Sequence, residues 1–279
     1  MSDQWLEWFV GFFEADGCFM IGKNLSLVIT QYELNKDVLE EIKETLSIGR
    51  VNIQTKHIVP GRLWTYRFIV NDFQGQLILL ELFKNNLVFP YRLKRYNDFI
   101  NIFNEKLGRS KKNKGLKSDL NFVSDTAYPS KKDAWLSGFM DGDGCFYTSF
   151  TSRHKLIGSI SFFNKNKSSL HLFEHIKDEI FDGEGNVNIT NKGLTYDTRS
   201  LKKGLPLVCN YFDRFNLKTT KIYDYLILVR VLEKYKNWES LDDQQIYQVV
   251  SLIKRTQHQQ KKRDWKNVLK VYYDANIIK

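Results

Sequence analysis

The sequence predicts an α+β protein made of two pseudo-symmetric αββαββα repeats that pack through one helix of each repeat. Residues 9–19, FVGFFEADGCF, and residues 136–146, LSGFMDGDGCF, each end an apolar run of helical spacing with acid-small-acid-glycine. Asp16 and Asp143 lie 127 residues apart, and Lys94 and Lys221 lie the same distance apart. A repeated offset of this kind indicates an internal duplication.

The two apolar helices carry small residues four positions apart. These are Gly11 and Ala15 in the first helix and Gly138 and Gly142 in the second. Glycine inside a helix costs about 1 kcal/mol relative to alanine, so its repeated use needs a reason. Close contact between the two helices is such a reason, and it would bring the acids at their ends together.

Asp16 and Asp143 stand at the ends of these helices, and each precedes a glycine that we expect to end its helix with a positive φ. A carboxylate there faces the negative end of the helix macrodipole. A bound cation would relieve that repulsion. Two such carboxylates at one place could serve the two strands of a DNA duplex.

Each motif helix precedes the same series of elements. Strands are predicted within 19–31 and 51–70, with helices at 36–46, 77–83 and 91–103; the second half repeats this with strands within 146–163 and 186–199 and helices at 168–181, 205–212 and 219–234. We therefore expect an N-terminal half at 1–105, a basic linker at 106–132, a C-terminal half at 133–237 and a helical basic tail at 238–279.

Composition favours a polyanionic partner and an intracellular location. The 279 residues include 42 Lys and Arg against 32 Asp and Glu, a net charge of +10. Cys18, Cys145 and Cys209 show no CxxC spacing, so we expect small buried residues rather than a zinc or disulfide framework. No apolar run is long enough to span a membrane, and the first motif leaves no room for a leader peptide. Scarce alanine with abundant Asn, Lys and Ile suggests an organellar gene, in a mitochondrion or plastid.

Two acid-small-acid-glycine helices in a basic αββαββα repeat resemble the LAGLIDADG homing endonucleases of the single-chain, double-motif type. The resemblance implies that the motif helices form the central interface and that the antiparallel sheets form a DNA-binding saddle. It also implies that Asp16 and Asp143 bind divalent metal at the scissile phosphates, with Mg²⁺ the expected ion and Mn²⁺ or Ca²⁺ able to occupy the site. Glu14 and Asp141 are then expected to make capping or interface hydrogen bonds.

Three further residues match peripheral site residues of that family. Lys94 and Lys221 could polarise water or offset developing negative charge, and Gln31 matches a glutamine found near the catalytic water. Matching the strand segment that ends at Gln31 with the segment around Phe162, at a local offset of 131 residues, pairs Gln31 with Phe162, which predicts that the two half-sites are unequal.

The resemblance predicts a monomer that cuts both strands of a long, imperfectly palindromic duplex. Amides and hydroxyls on alternate strand positions would read base edges in the major groove, and basic residues would contact phosphates. The expected DNA-binding residues are Lys23, Ser26, Thr30, Asn52, Gln54, Lys56, Arg62, Ser159, Ser161, Asn188 and Thr190.

Two alternatives have to be weighed. His171 and His175 with Glu174 match an HxxEH zinc-hydrolase pattern, but Glu40 and Glu44 take the equivalent places in the first half, which argues against zinc. A non-cleaving binder of the same fold, such as an RNA maturase that assists splicing of intron RNA, is the more serious alternative, because fold alone does not decide function.

Overall fold

The structure, a computed structural model, describes residues 2–54, 64–110, 120–124, 126–150, 156–199 and 203–235. The first half contains α1 (Asp3–Asp16), β1 (Gly17–Met20), β2 (Ser26–Tyr32), α2 (Lys36–Leu46), β3 (Arg50–Ile53), β4 (Thr65–Val70), α3 (Phe73–Phe83) and α4 (Pro90–Arg109). The second half contains α5 (Trp135–Asp143), β5 (Gly144–Phe150), β6 (Leu156–Asn164), α6 (Leu170–His175), β7 (Asn186–Thr190), β8 (Gly193–Thr198), α7 (Gly204–Arg214) and α8 (Lys221–Tyr235).

The predicted α+β duplication is confirmed. Each half forms a four-stranded antiparallel sheet, in the order β1-β2-β4-β3 in the first half and β5-β6-β8-β7 in the second. The predicted division at 1–105 and 133–237 remains a prediction, since part of the linker (residues 111–119 and 125) and the whole tail lie outside the described residues. No helix in the described ranges is long and apolar enough to cross a membrane.

Helices α1 and α5 pack so closely that their backbones touch. A Cβ built on Gly11 would lie 1.9 Å from the carbonyl oxygen of Trp135, and one built on Gly138 would lie 1.8 Å from that of Trp8. The approach is reciprocal, as expected for duplicated helices related by a pseudo-two-fold axis. Only glycine permits this separation, because any Cβ would overlap the neighbouring backbone.

Buried acids fasten the two helices to both halves. Glu14 accepts hydrogen bonds from the Val88 and Phe89 amides at 2.9 and 2.8 Å and from the indole of Trp135 at 2.8 Å. Asp141 makes the equivalent set with the amides of Lys218 and Thr219 and with the indole of Trp8. Each acid therefore binds a tryptophan of the opposite motif helix, which is an interface role.

The inner faces of the sheets pack on the helices, and the outer faces stay open. Leu27, Phe68 and Val70 are buried on the inner face of the first sheet, and Ile160, Phe162 and Tyr196 are buried on the inner face of the second. Our prediction that Cys18 and Cys145 are buried is wrong: both are exposed, and Cys209 is half-buried. Cys18 and Cys145 take the outward positions of β1 and β5, because successive side chains alternate between the faces of a strand.

The two halves differ in their first hairpin. Gly17 pairs with Ile29, whereas the equivalent Gly144 pairs with Phe162, because β5 and β6 continue pairing as far as Phe150 and Leu156. The second hairpin is thus three residue pairs longer. Consequently no single sequence offset relates the two halves beyond their first strands.

Candidate metal and nucleic-acid site

Asp16 and Asp143 end α1 and α5 side by side. A Cβ on Gly142 would lie 2.3 Å from the Ala15 Cβ and 3.0 Å from Asp16 Oδ2, so the small residues bring one helix end against the other acid. The expected positive φ is wrong, since Gly17 and Gly144 adopt φ of −76° and −78°. Glycine is needed there for space: a Cβ on Gly17 would lie 2.4 Å from the Phe13 carbonyl oxygen.

Asp16 faces a polar cleft of about 450 Å³ between the two halves. Gln31 donates from Nε2 to Asp16 Oδ2 at 2.5 Å, and the amide of Asn35 donates to Gln31 Oε1 at 3.0 Å. Asn35 in turn accepts from the backbone amide of Thr220 at 3.0 Å. This hydrogen-bonded chain fixes the carboxylate of Asp16 relative to the start of α8 in the other half.

Asp143 faces a second cleft, of about 400 Å³, with Tyr91 and Asn164 in its lining. The sheet register shows that Asn164, and not Phe162, is the structural equivalent of Gln31. Gln31 pairs with Tyr66 and Asn164 with Leu194, each two residues beyond the equivalent Ile29 and Phe162.

The pairing of Gln31 with Phe162 is therefore wrong. Phe162 is a core residue, its ring centroid 5.7 Å from that of Phe139. The sequence pairing used an offset of 131 residues, two short of the 133 that the longer hairpin produces, and the amide of Asn164 lines the second cleft.

A different cation flanks the end of each motif helix. Lys221 donates from Nζ to the carbonyls of Met140, at 3.1 Å, and Gly142. At the other helix, Arg92 donates to the carbonyls of Glu14 and Ala15, both at 2.9 Å. Lys94 lies exposed on α4.

Sequence reasoning missed Arg92 because the constant offset pointed to Lys94. The correct correspondence follows from tertiary contacts: Glu14 accepts from Val88 and Phe89 as Asp141 accepts from Lys218 and Thr219. That correspondence aligns Lys221 with Tyr91, beside Arg92.

Burial disfavours the ionised form of both acids. Desolvation and the charge of Asp16 raise the pKa of Asp143 to about 6, and desolvation also raises the pKa of Asp16. Desolvation lowers the pKa of Lys221, although the neighbouring acids oppose that shift. The described residues offer no cluster of three or more His, Cys, Asp or Glu that could hold a metal by itself.

The donor set fits a hard divalent cation. Two carboxylates supply oxygen, and Mg²⁺ or Ca²⁺ completes its shell readily with water or phosphate oxygens. A cation between the acids would offset their mutual repulsion. Asp16 and Asp143 are the residues able to hold it.

The outer sheet faces hold the described residues that we predicted to contact DNA. Ser26, Thr30, Asn52 and Gln54 project from the first sheet, where Lys23 lies in the β1–β2 turn. The corresponding second-sheet residues are Ser159, Ser161, Asn188 and Thr190. Lys56 and Arg62 lie outside the described residues.

The outer faces also carry charged residues that sequence reasoning did not select. Arg67 and Arg50 lie on the first sheet, and Asp197 on the second, where it binds Asn188 at 2.9 Å and Arg199 at 3.2 Å. Their outward positions could have been found from strand alternation once the register was known.

The HxxEH segment forms no metal site among the described residues. His175 hydrogen-bonds the Pro129 carbonyl at 2.7 Å, and its ring packs on Tyr128. Glu174 pairs with Lys177 at 2.8 Å. These contacts tie both side chains to neighbouring parts of the fold.

Comparisons with known proteins agree with this geometry. The sequence model of the LAGLIDADG endonuclease family matches residues 9–103 and 136–232, which is more than half of the chain. The structure of the LAGLIDADG homing endonuclease I-GzeII in complex with its DNA target superposes with a TM-score of 0.70 at 20% identity, over 92% of this chain and 99% of that one.

Two similar curated proteins are named as probable intron-encoded endonucleases. "Probable intron-encoded endonuclease 4" of Neurospora crassa is 27% identical over 83% of this chain and 40% of its own length. "Probable intron-encoded endonuclease Cox1-I1b" of Schizosaccharomyces pombe is 26% identical over 84% of this chain and 66% of its own length. The chain thus spans less than two thirds of either relative.

Proposed function

This chain belongs to the LAGLIDADG endonuclease family, and we propose that it is a site-specific endonuclease that hydrolyses both strands of a long, asymmetric DNA target, as in intron homing. One observation carries the proposal. Two acids from distant sequence positions meet at adjacent helix ends, and each lines its own cleft. Such a pair presents one carboxylate to each strand of a duplex.

We propose Mg²⁺ as the working ion, held by Asp16 and Asp143. When bound, the cation supplies an acidified water and stabilises the negative charge that develops on the phosphate. The chain itself positions the carboxylates: Gln31 orients Asp16 through a 2.5 Å hydrogen bond, and Gly142 permits the approach of the two helix ends. Asn164 offers its amide in the second cleft.

Lys221 and Arg92 are proposed to stabilise the charge of the transition state. Each already lies beside the acids, anchored on main-chain carbonyls at a helix C-terminus. Lys94 is proposed to reach the same phosphates from its exposed position on α4. A fixed cation needs no reorganisation as charge develops, which favours the transition state over the ground state.

The open faces of the two sheets are proposed as the DNA saddle. The net charge of +10 and the polar outer positions suit a duplex that is held by its phosphates and read through its major groove. Affinity should fall steeply with salt, because each neutralised phosphate releases counterion. With both motifs in one chain, a monomer suffices, and the unlike sheets favour an imperfect palindrome.

An organellar location is proposed from the relatives, one of which carries the name of a cox1 intron. The AT-rich character of the composition agrees with it. Import or synthesis in a mitochondrion or plastid would place the enzyme beside intron-bearing genes.

The experiment is cleavage of a diverse duplex library in Mg²⁺, with sequencing of the cut ends. EDTA and the Asp143→Asn protein serve as controls. One long motif cut on both strands, and lost in both controls, is expected. Recovery of no motif, together with tight metal-independent binding to folded intron RNA, would overturn the proposal in favour of a maturase.

A further inference from the structure

Two arginines share the outer face of the first sheet but differ in their surroundings. Arg50 donates from Nη1 to the Asn71 side chain at 3.0 Å. With the Asn52 amide in the orientation that satisfies its neighbours, its oxygen accepts from Arg50 Nε, also at 3.0 Å. The guanidinium of Arg50 is thus engaged within the protein.

Arg67 has no such partners among the described residues. Its Nε is buried without a hydrogen bond to any residue that the structure describes, although the residue as a whole is only half-buried. Leaving a buried donor of a charged group unsatisfied costs about 1–3 kcal/mol or more, so native proteins seldom keep one without use. The side chain would recover this free energy by turning its guanidinium towards acceptors of a ligand on the outer face.

Arg67 stands at the centre of that face. It pairs in register with Thr30 on one side and Asn52 on the other, so three polar residues form a row across β2, β4 and β3. The equivalent row of the second sheet is Phe163, Thr195 and Asn188. An arginine therefore occupies this place in only one of the two halves.

We propose that Arg67 is a specificity-determining residue that reads a guanine in the major groove of the half-site under the first sheet. The inference rests on the proposed function and adds to it the identity of one base. A guanidinium fork fits the O6 and N7 acceptors of guanine, the commonest specific contact of arginine with a base. A contact with a DNA phosphate, by contrast, would not require the arginine to lie at a fixed position in the centre of the sheet.

The second sheet has no arginine at the position equivalent to Arg67, so the proposal concerns a single base position of the target. Because Thr195 replaces arginine in the second sheet, the symmetry-related position of the target carries no matching requirement for guanine. The target should break its palindrome at this pair of positions.

The test is a selection from a randomised duplex library, read as binding in Ca²⁺ and as cleavage in Mg²⁺. The wild type, Arg67→Gln and the matched control Arg50→Gln are compared, since both substitutions remove one charge from the same face. Arg67→Met keeps the aliphatic stem and provides a second variant should Arg67→Gln fold poorly. Thermal unfolding confirms that each protein is folded.

We expect one guanine in the wild-type target whose replacement weakens binding roughly 10- to 100-fold. Arg67→Gln should shift that position towards adenine, because glutamine matches the N6 and N7 edge of adenine, and Arg67→Met should leave it unspecified. Arg50→Gln should retain the guanine.

Two results would overturn the assignment while leaving the endonuclease proposal intact. One is an Arg67→Gln protein that selects the wild-type motif unchanged. The other is a loss of affinity that is uniform over all sequences, which would make Arg67 a phosphate contact. If the wild type enriches no duplex in either ion, the proposed function itself fails.

Discussion

Trp8 donates its indole hydrogen to the buried carboxylate of Asp141 at 2.8 Å, across the boundary between the two halves. The pseudo-symmetric contact joins Trp135 to Glu14 at the same distance. Two crossed hydrogen bonds thus hold the motif helices together directly below the acids at their ends. The geometry of the site depends on contacts that neither half can form alone.

Replacing the indole of this pair should destabilise the protein. Trp8→Phe removes a hydrogen bond to a buried charge, and we expect a loss of about 1–3 kcal/mol in the free energy of unfolding measured with urea. Trp5→Phe is the matched control, since its indole bonds the less buried Glu41 at 2.8 Å. Equal losses in the two variants would contradict an interface role for Asp141.

A methyl group at the helix crossing should be more damaging. In Gly11→Ala the new Cβ would lie 1.9 Å from the Trp135 carbonyl, so the helices must move apart, with an expected loss of at least about 1–3 kcal/mol. Gly108→Ala on α4 is the control, because nothing lies within 4 Å of its Cβ position. That change should stabilise by about 0.5–1 kcal/mol, and destabilisation by it would show that steric contact is not the cause at Gly11.

Neutralising one acid should abolish cutting but raise stability in metal-free buffer. Asp143 has a folded pKa of about 6 against an ordinary 3.8, so folding favours its protonated form. The carboxylate therefore begins to destabilise the fold above pH 3.8 and does so fully above about pH 6.

The melting temperature of Asp143→Asn in EDTA should equal that of the wild type near pH 4 and exceed it at pH 8. Adding Ca²⁺ should then raise the melting temperature of the wild type more than that of the variant, by mass action. A variant that cuts normally in Mg²⁺, or that melts below the wild type at pH 8 in EDTA, would contradict the assignment.

The side-chain amides of Gln31 and Asn164 should each assist the cleavage of a different DNA strand. Gln31→Ala is expected to slow the cut made beside Asp16, and Asn164→Ala the cut made beside Asp143, because each lies in only one cleft. Strand-labelled duplex should show roughly tenfold slower cutting of one strand and accumulation of nicked product. Phe162→Leu, a core change, should not favour either strand; a strand bias there would restore Phe162 as the equivalent of Gln31.

The cations can be ranked by removing one at a time. Lys221→Met and Arg92→Met should slow cleavage about 100-fold or more while weakening binding much less, since both side chains lie beside the acids. Lys94→Met should have the smallest effect on cleavage, because its side chain starts from an exposed position. If Lys94→Met proved the slowest of the three, Lys94 would have to move to the phosphate on DNA binding.

Much of the fold could be predicted because its signals are local. Helical spacing, strand alternation and the repeated acid-small-acid-glycine ending are visible within short windows, and the duplication follows from seeing them twice. Glycine is unfavourable inside a helix, and this cost alone indicated that Gly11 and Gly138 lie at a close helix contact. These inferences required no knowledge of which strand pairs with which.

Sequence by itself determined the two halves, the motif helices and the paired acids Asp16 and Asp143. Tertiary structure decided that Asn164 corresponds to Gln31 and that Arg92 accompanies Lys221 beside the acids. It also decided that Arg67 lies on the outer face with an Nε that no described residue pairs. The reason is that strand register and helix starts are set by pairing between distant segments, so three extra pairs in one hairpin displace every later correspondence.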